Sequence, residues 1–103
     1  MNSEVLILFS RKGCCLCETL EKELSAISLI DLNPPIVLSI IDIDNQEVST
    51  EIQGKYTNEV PVLVLDSNNL SRKIELPRVS PRLKGDLLLS WIQKKLNIIF
   101  NSY

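Results

Sequence analysis

The hydrophobic pattern of this chain changes period between residues 10 and 15, and that change narrows the choice of folds more than any other feature. Glu4 to Ser10, EVLILFS, carries a continuous apolar run with β-branched and aromatic residues, the pattern of a strand buried on both faces. It ends at Arg11, Lys12 and Gly13. From Cys14 or Cys15 onward the spacing is helical, with Leu16, Leu20, Leu24 and Ile27 on one face and Glu18, Glu21, Lys22 and Glu23 on the other. Asn33, Pro34 and Pro35 break the chain before a second apolar run, Ile36 to Ile43, which predicts another interior strand. Strand, amphipathic helix and strand in this order call for a parallel pair joined by a crossover helix.

Further along, Val48 and Ile52 at i, i+4 predict a short helix ending near Gly54 as its C′ glycine. Val60 to Leu65 and roughly Leu70 to Leu76 flank DSNN, residues 66 to 69, as two antiparallel strands about a hairpin turn. Asp86 can cap a last helix in which Leu87, Leu88, Trp91, Ile92 and Leu96 share a face, with Trp91 in the core and Lys94 and Lys95 near the carboxyl end. The order β-α-β-(α)-β-β-α predicts an α/β fold with a mixed four-stranded sheet and helices on its faces. At 103 residues, 1–103 is the size of one domain that folds without staples.

Composition excludes several functions. A net charge of -2 and a pI near 5.1 give no reason to expect nucleic acid or anionic membranes as partners. The apolar stretches IVLSII and VPVLVL are too short to span a bilayer, and MNSEVLILFS lacks a basic segment and a cleavage-type ending, so a soluble, unexported, cytoplasmic protein is expected. The chain has no histidine, which removes Cys-His catalysis, Ser-His triads and His-containing zinc sites together.

All three cysteines, Cys14, Cys15 and Cys17, lie within four residues at the strand-to-helix boundary. Placed so close, they close no useful loop, so structural crosslinking explains them poorly. At a helix start, unpaired backbone N–H groups and the positive end of the dipole stabilise a thiolate, and Arg11 and Lys12 add positive charge nearby. Cys14 and Cys17 at i, i+3 lie on one face, close enough to bridge reversibly, with Cys14 as the more acidic. Two plainer readings stand beside this one: small buried hydrophobes that happen to cluster, and a zinc site, for which three thiols are one ligand short. Cys15 points about 100° away and is expected to be a packing residue. Asp42, Asp44 and Glu47 suggest a polar strand end and helix cap rather than a metal motif, since no glycine-bearing calcium loop follows.

The sequence resembles the glutaredoxins of the thioredoxin-like superfamily, and more narrowly a small glutaredoxin-like family. FSRKGCCLC resembles the glutaredoxins' strand, basic residue and Cys-Pro-Tyr-Cys, VPVLVL their Thr-Val-Pro segment and DLLLSWIQKKL their last helix, while Cys-x-Leu-Cys, Asp-Ile-Asp and Glu-Leu-Pro-Arg-Val carry the narrower resemblance. The resemblance implies a thiol-disulfide oxidoreductase in cell redox homeostasis, with Cys14 as nucleophile and Cys17 as resolving cysteine. It implies that Arg11 meets a glutathione carboxylate, that the Val60 backbone pairs with the glutathione peptide, and that Pro61 is a cis-proline facing the sulfurs. The partner it implies is a disulfide-containing protein or a glutathione mixed disulfide. No bound cofactor is expected, with glutathione as reductant or co-substrate and the chain acting as a monomer. Glu59 stands in place of the family's threonine, PRLKGD in place of its Gly-Gly, and Cys15 in place of its proline. Other readings of the same resemblance are an iron–sulfur scaffold with Cys14 as ligand and a non-catalytic interaction module. Arg72, Lys73, Arg78, Arg82 and Lys84 read either as a solvated edge or as a field that steers an acidic partner toward the site.

Overall fold

The computed structural model describes residues 4–102. Strand β1 (Glu4–Ser10) leads into helix α1 (Cys15–Ser25), a 3₁₀ turn (Leu29–Asp31), strand β2 (Ile36–Asp42) and helix α2 (Thr50–Tyr56). The hairpin β3 (Val62–Ser67) and β4 (Arg72–Glu75) and the long helix α3 (Gly85–Ser102) complete it. The sheet order is β2-β1-β3-β4: β1 runs parallel to β2 from Glu4↔Ile36 to Ser10↔Asp42 and antiparallel to β3, and β3 runs antiparallel to β4. This is the mixed four-stranded sheet and element order of the thioredoxin-like fold.

Strict alternation along β1 and β3 supplies two cores. Leu6, Leu8, Leu63 and Leu65 meet Leu20 and Leu24 of α1 and Leu88, Ile92, Leu96 and Ile99 of α3 on one face. Ile7, Phe9, Val62 and Val64 meet Ile43, Tyr56 and the partly buried Ile52 on the other. Gln93 of α3 also grips the backbone of Asn33, donating to its carbonyl at 2.8 Å and accepting from its N–H at 3.0 Å.

Several expectations change in three dimensions. β2 is an edge strand rather than an interior one; β1 covers one side only, and Val37 and Ile40 stay 47% and 41% exposed. Helix α2 runs through Gly54 to Tyr56, because Ser49 starts it and Thr57 still donates to the Gln53 carbonyl at its end. Asp66 and Ser67 belong to β3, so the hairpin loop is Asn68–Ser71, with Ser71 in the left-handed region at φ 53°. On α1 the buried stripe is Cys17, Leu20 and Leu24, which turns Leu16 outward; on α3 Leu87 is exposed and Trp91 only half-buried, with Lys95 over its ring. Glu4, read as the start of an apolar strand, is fully buried and ties down the hairpin loop, its Oε1 accepting from the Asn69 side chain at 2.7 Å.

Candidate functional site

The site begins with a turn. The Cys14 N–H donates to the Arg11 carbonyl at 3.2 Å, and Gly13 takes φ +80°, a value its missing Cβ permits, so the chain passes from β1 to α1 through the four residues 11–14. Cys14 then caps the helix. Its backbone is extended, its carbonyl accepts from Glu18 N–H at 3.0 Å, and its Sγ accepts from Cys17 N–H at 3.2 Å. A helix N-terminus thus directs a backbone donor at a sulfur, where negative charge is favoured.

Cys14 and Cys17 are joined as a disulfide, with their Cα atoms 5.2 Å apart. The two sulfurs have unequal surroundings: Cys14 is half-buried, while Cys17 is 1% exposed and continuous with the stripe of Leu20 and Leu24. Cys15 is a free thiol and exposed, not packed, because the first turn of α1 aims it away from the sheet. A cleft of about 290 Å³, lined by Ser10, Arg11, Lys12, Glu18, Ile40 and Asp42 among others, reaches Cys17 from one side.

Arg11 is half-buried and held by the protein's own groups. Its Nε and Nη2 donate to the two oxygens of Asp44 at 2.9 and 3.1 Å, and Nη1 and Nη2 donate to the Thr57 carbonyl and hydroxyl at 2.8 and 2.6 Å. One guanidinium therefore ties together the loops after β1, after β2 and after α2. The pairing raises the Arg11 pKa and lowers that of Asp44, through the hydrogen bond between them first. Lys12 is exposed and lines the cleft that reaches Cys17.

Val60 and Pro61 follow the loop that Arg11 anchors at Thr57, and the bond between them is cis, as is Asn33-Pro34. Val60 packs on the second core, whereas Pro61 borders an apolar groove with Leu16, Leu20, Val79 and Leu83. Arg78 also lines that groove and donates to the Glu59 carbonyl at 2.9 Å, which ties the loop after β4 to the residue before Val60. Sequence reading had missed Thr57 and the groove residues Val79 and Leu83, which carry no chemical signature. Among the described residues, no group of three or more histidine, cysteine, aspartate or glutamate side chains could hold a metal ion, and no helix is long and apolar enough to cross a membrane.

A sulfur pair at the start of the first helix of this sheet, one member capped by backbone N–H and the other buried behind it, defines a thiol-redox domain of the thioredoxin-like superfamily. The chain belongs to the family described as Glutaredoxin-like domain (DUF836), whose model matches residues 5–93. It is similar to Glutaredoxin-C6 of Arabidopsis thaliana, 33% identical over 66 residues, which is 61% of this chain and 41% of that protein. The chain therefore matches less than half the length of that relative. No solved structure matches it.

Proposed function

We propose that this protein is a thiol-disulfide oxidoreductase working by dithiol exchange in cell redox homeostasis, in the reducing cytoplasm. In the reduced protein the Cys14 thiolate, stabilised by the Cys17 N–H and the helix dipole, attacks one sulfur of a substrate disulfide. The substrate's other sulfur leaves as a thiolate and takes up a proton. The Cys17 thiol then loses its proton and attacks Cys14 Sγ, releasing the second substrate thiol and closing the Cys14–Cys17 bridge. Two electrons have passed to the substrate. Two molecules of a low-molecular-weight thiol of the glutathione type, acting as reductant or co-substrate, return the pair to the dithiol state and leave as their own disulfide.

Val60 and Pro61 flank the approach to Cys14 in this reading, and Arg11 acts by holding the junction in place. No resident cofactor is required and the chain works as a monomer. The observation that carries the reading is the Cys14 sulfur serving as helix cap with Cys17 in bonding range.

Thiol alkylation against pH, followed by equilibration in glutathione buffers, tests it. The expected result is one thiol titrating well below the ordinary cysteine value of about 8.5, and one bridge linking residues 14 and 17 in the oxidised form. Alkylation of the oxidised protein should then modify Cys15 alone. Three thiols titrating alike near the ordinary value would overturn the proposal.

A further inference from the structure

We propose that Asp42 receives the proton that Cys17 gives up when it resolves the mixed disulfide, by way of water in the cleft between α1 and the end of β2. The inference rests on the exchange reading above and supplies what that reading requires, a proton acceptor for a buried sulfur.

Cys17 must lose its proton to attack, yet it is 1% exposed and continues the buried stripe of Leu20 and Leu24. A thiolate standing alone in that stripe is costly, so the proton has to leave as the new S–S bond forms. The cleft of about 290 Å³ that reaches Cys17 has room for several waters. It lies on the far side of α1 from Pro61. Leu16, Thr19, Leu20 and Glu23 face the groove with Pro61, whereas Cys17, Glu18 and Glu21 face the cleft, about 150° round the helix at about 100° per residue. A substrate that approaches Cys14 past Val60 and Pro61 therefore leaves the cleft open to water.

Of the carboxylates that border the cleft, Asp42 is the one held in place. It ends β2, in register with Ser10 beside the turn that carries the cysteines. Alternation along β2 puts it on the same face as Ile36 and Leu38, which pack into the core with α1. Its Oδ1 accepts from the Asp44 N–H at 2.9 Å and its Oδ2 makes no hydrogen bond among the described residues, so one oxygen is anchored and the other open. Asp42 is half-buried, whereas Glu18 is exposed and Glu21, one turn after Cys17, makes no hydrogen bond among the described residues that fixes its longer side chain. Lys12 and Arg11 complete the charged groups of the cleft, and Arg11 is already paired with Asp44. In the resolving step the Cys17 proton passes through water to Asp42 Oδ2 while the sulfur's electron pair forms the bond to Cys14 Sγ. The bond from Cys14 to the substrate breaks, and the substrate sulfur leaves as a thiolate with those electrons. Asp42 then releases the proton to solvent, and in the reverse direction the same carboxyl protonates the departing Cys17.

The test follows both steps of exchange by stopped flow with a symmetric nitrobenzoate disulfide, whose thiolate product absorbs visible light. The full-length protein carries Cys15→Ser, so that only the pair reacts. The first release of product reports attack by Cys14, and the second reports resolution by Cys17. Asp42→Asn keeps an oxygen for the Asp44 N–H. It is expected to leave the first release unchanged and to slow the second about tenfold or more near neutral pH. Added acetate, a carboxylate small enough to enter the cleft, should restore the second release in that variant and do little in the parent. Loss of charge alone predicts the opposite sign, because removing an anion beside Cys17 favours its thiolate and speeds the second release. A second release that is unchanged or faster in Asp42→Asn, equal slowing of both steps, or no response to acetate would overturn the proposal. Slowing by Glu21→Gln in place of Asp42→Asn would also overturn it, by assigning the proton to α1. If the parent gives no second release, no bridge forms and the exchange reading itself fails; a second release indifferent to Asp42 removes this proposal alone.

Discussion

Helices α1 and α2 begin alike. Each follows a strand of the parallel pair, and each is preceded by a residue in extended conformation, Cys14 at φ -90°, ψ 107° and Ser49 at φ -61°, ψ 149°. In each the cap side chain accepts a hydrogen bond from the N–H three residues on, from Cys17 to Sγ and from Ile52 to Oγ, both at 3.2 Å. Arg11 and Asp44 even join the two junctions through one ion pair. What differs is chemistry. A hydroxyl in this position satisfies a stray donor and does no more; a sulfur there receives the same donor and can form a bond to a second sulfur at i+3. A helix cap therefore becomes a redox centre through the identity of two atoms, with little change in geometry.

The largest effect should come from making the first junction resemble the second. Cys14→Ser keeps an oxygen acceptor for the Cys17 N–H, so the melting temperature should hold while disulfide reduction falls at least about 100-fold. Retained activity in that variant would break the comparison. Cys17→Ala removes the sulfur that takes over the bond. Mass spectrometry should then find the protein stalled as a mixed disulfide with substrate, at a stability cost of about 1 kcal/mol for the small cavity. A variant that turns over at the wild-type rate would show that Cys17 resolves nothing.

Changes at the second junction should touch stability alone. Ser49→Ala is expected to cost about 1 kcal/mol in denaturant unfolding and to leave exchange unchanged. A loss of activity would mean that α2 is coupled to the sulfurs. The smallest effect lies at the end of that helix. Burial, followed by the bond to Glu75, pushes the Tyr56 hydroxyl up to about 12. A pKa raised above the unfolded value of about 10 contributes stability that is complete below pH 10 and is lost as pH climbs toward 12. Tyr56→Phe should flatten that alkaline loss at a cost of about 1 kcal/mol near neutrality. An unchanged alkaline limb would place the titration elsewhere.

Where a pattern is carried by neighbours in the chain, it was legible from the residues. The period change at Ser10–Cys15 located the end of β1 and the start of α1 to within a residue, although Ile27, expected on the helix face, lies past its end at Ser25; Cys14 and Cys17, three apart on one helix face, could be read as a pair. The same local rules failed where partners are distant. β2 has the composition of an interior strand, yet strand order depends on which neighbours arrive, and only β1 does. Arg11 read as an open cation because Asp44 and Thr57 lie far along the chain, and Leu16 read as core because helical period alone does not say which of two adjacent stripes faces the sheet.

Period, capping and i, i+3 spacing belong to a single segment, so the order of elements, a sulfur at a helix start and a second sulfur one turn on could all be read from the residues. The tertiary structure alone decided that Cys17 is buried while Cys14 is half open, that Arg11 is locked between three loops, and that Leu16, Pro61 and Arg78 share one groove. Burial and charge pairing depend on what the rest of the chain brings alongside, and no local window contains that information.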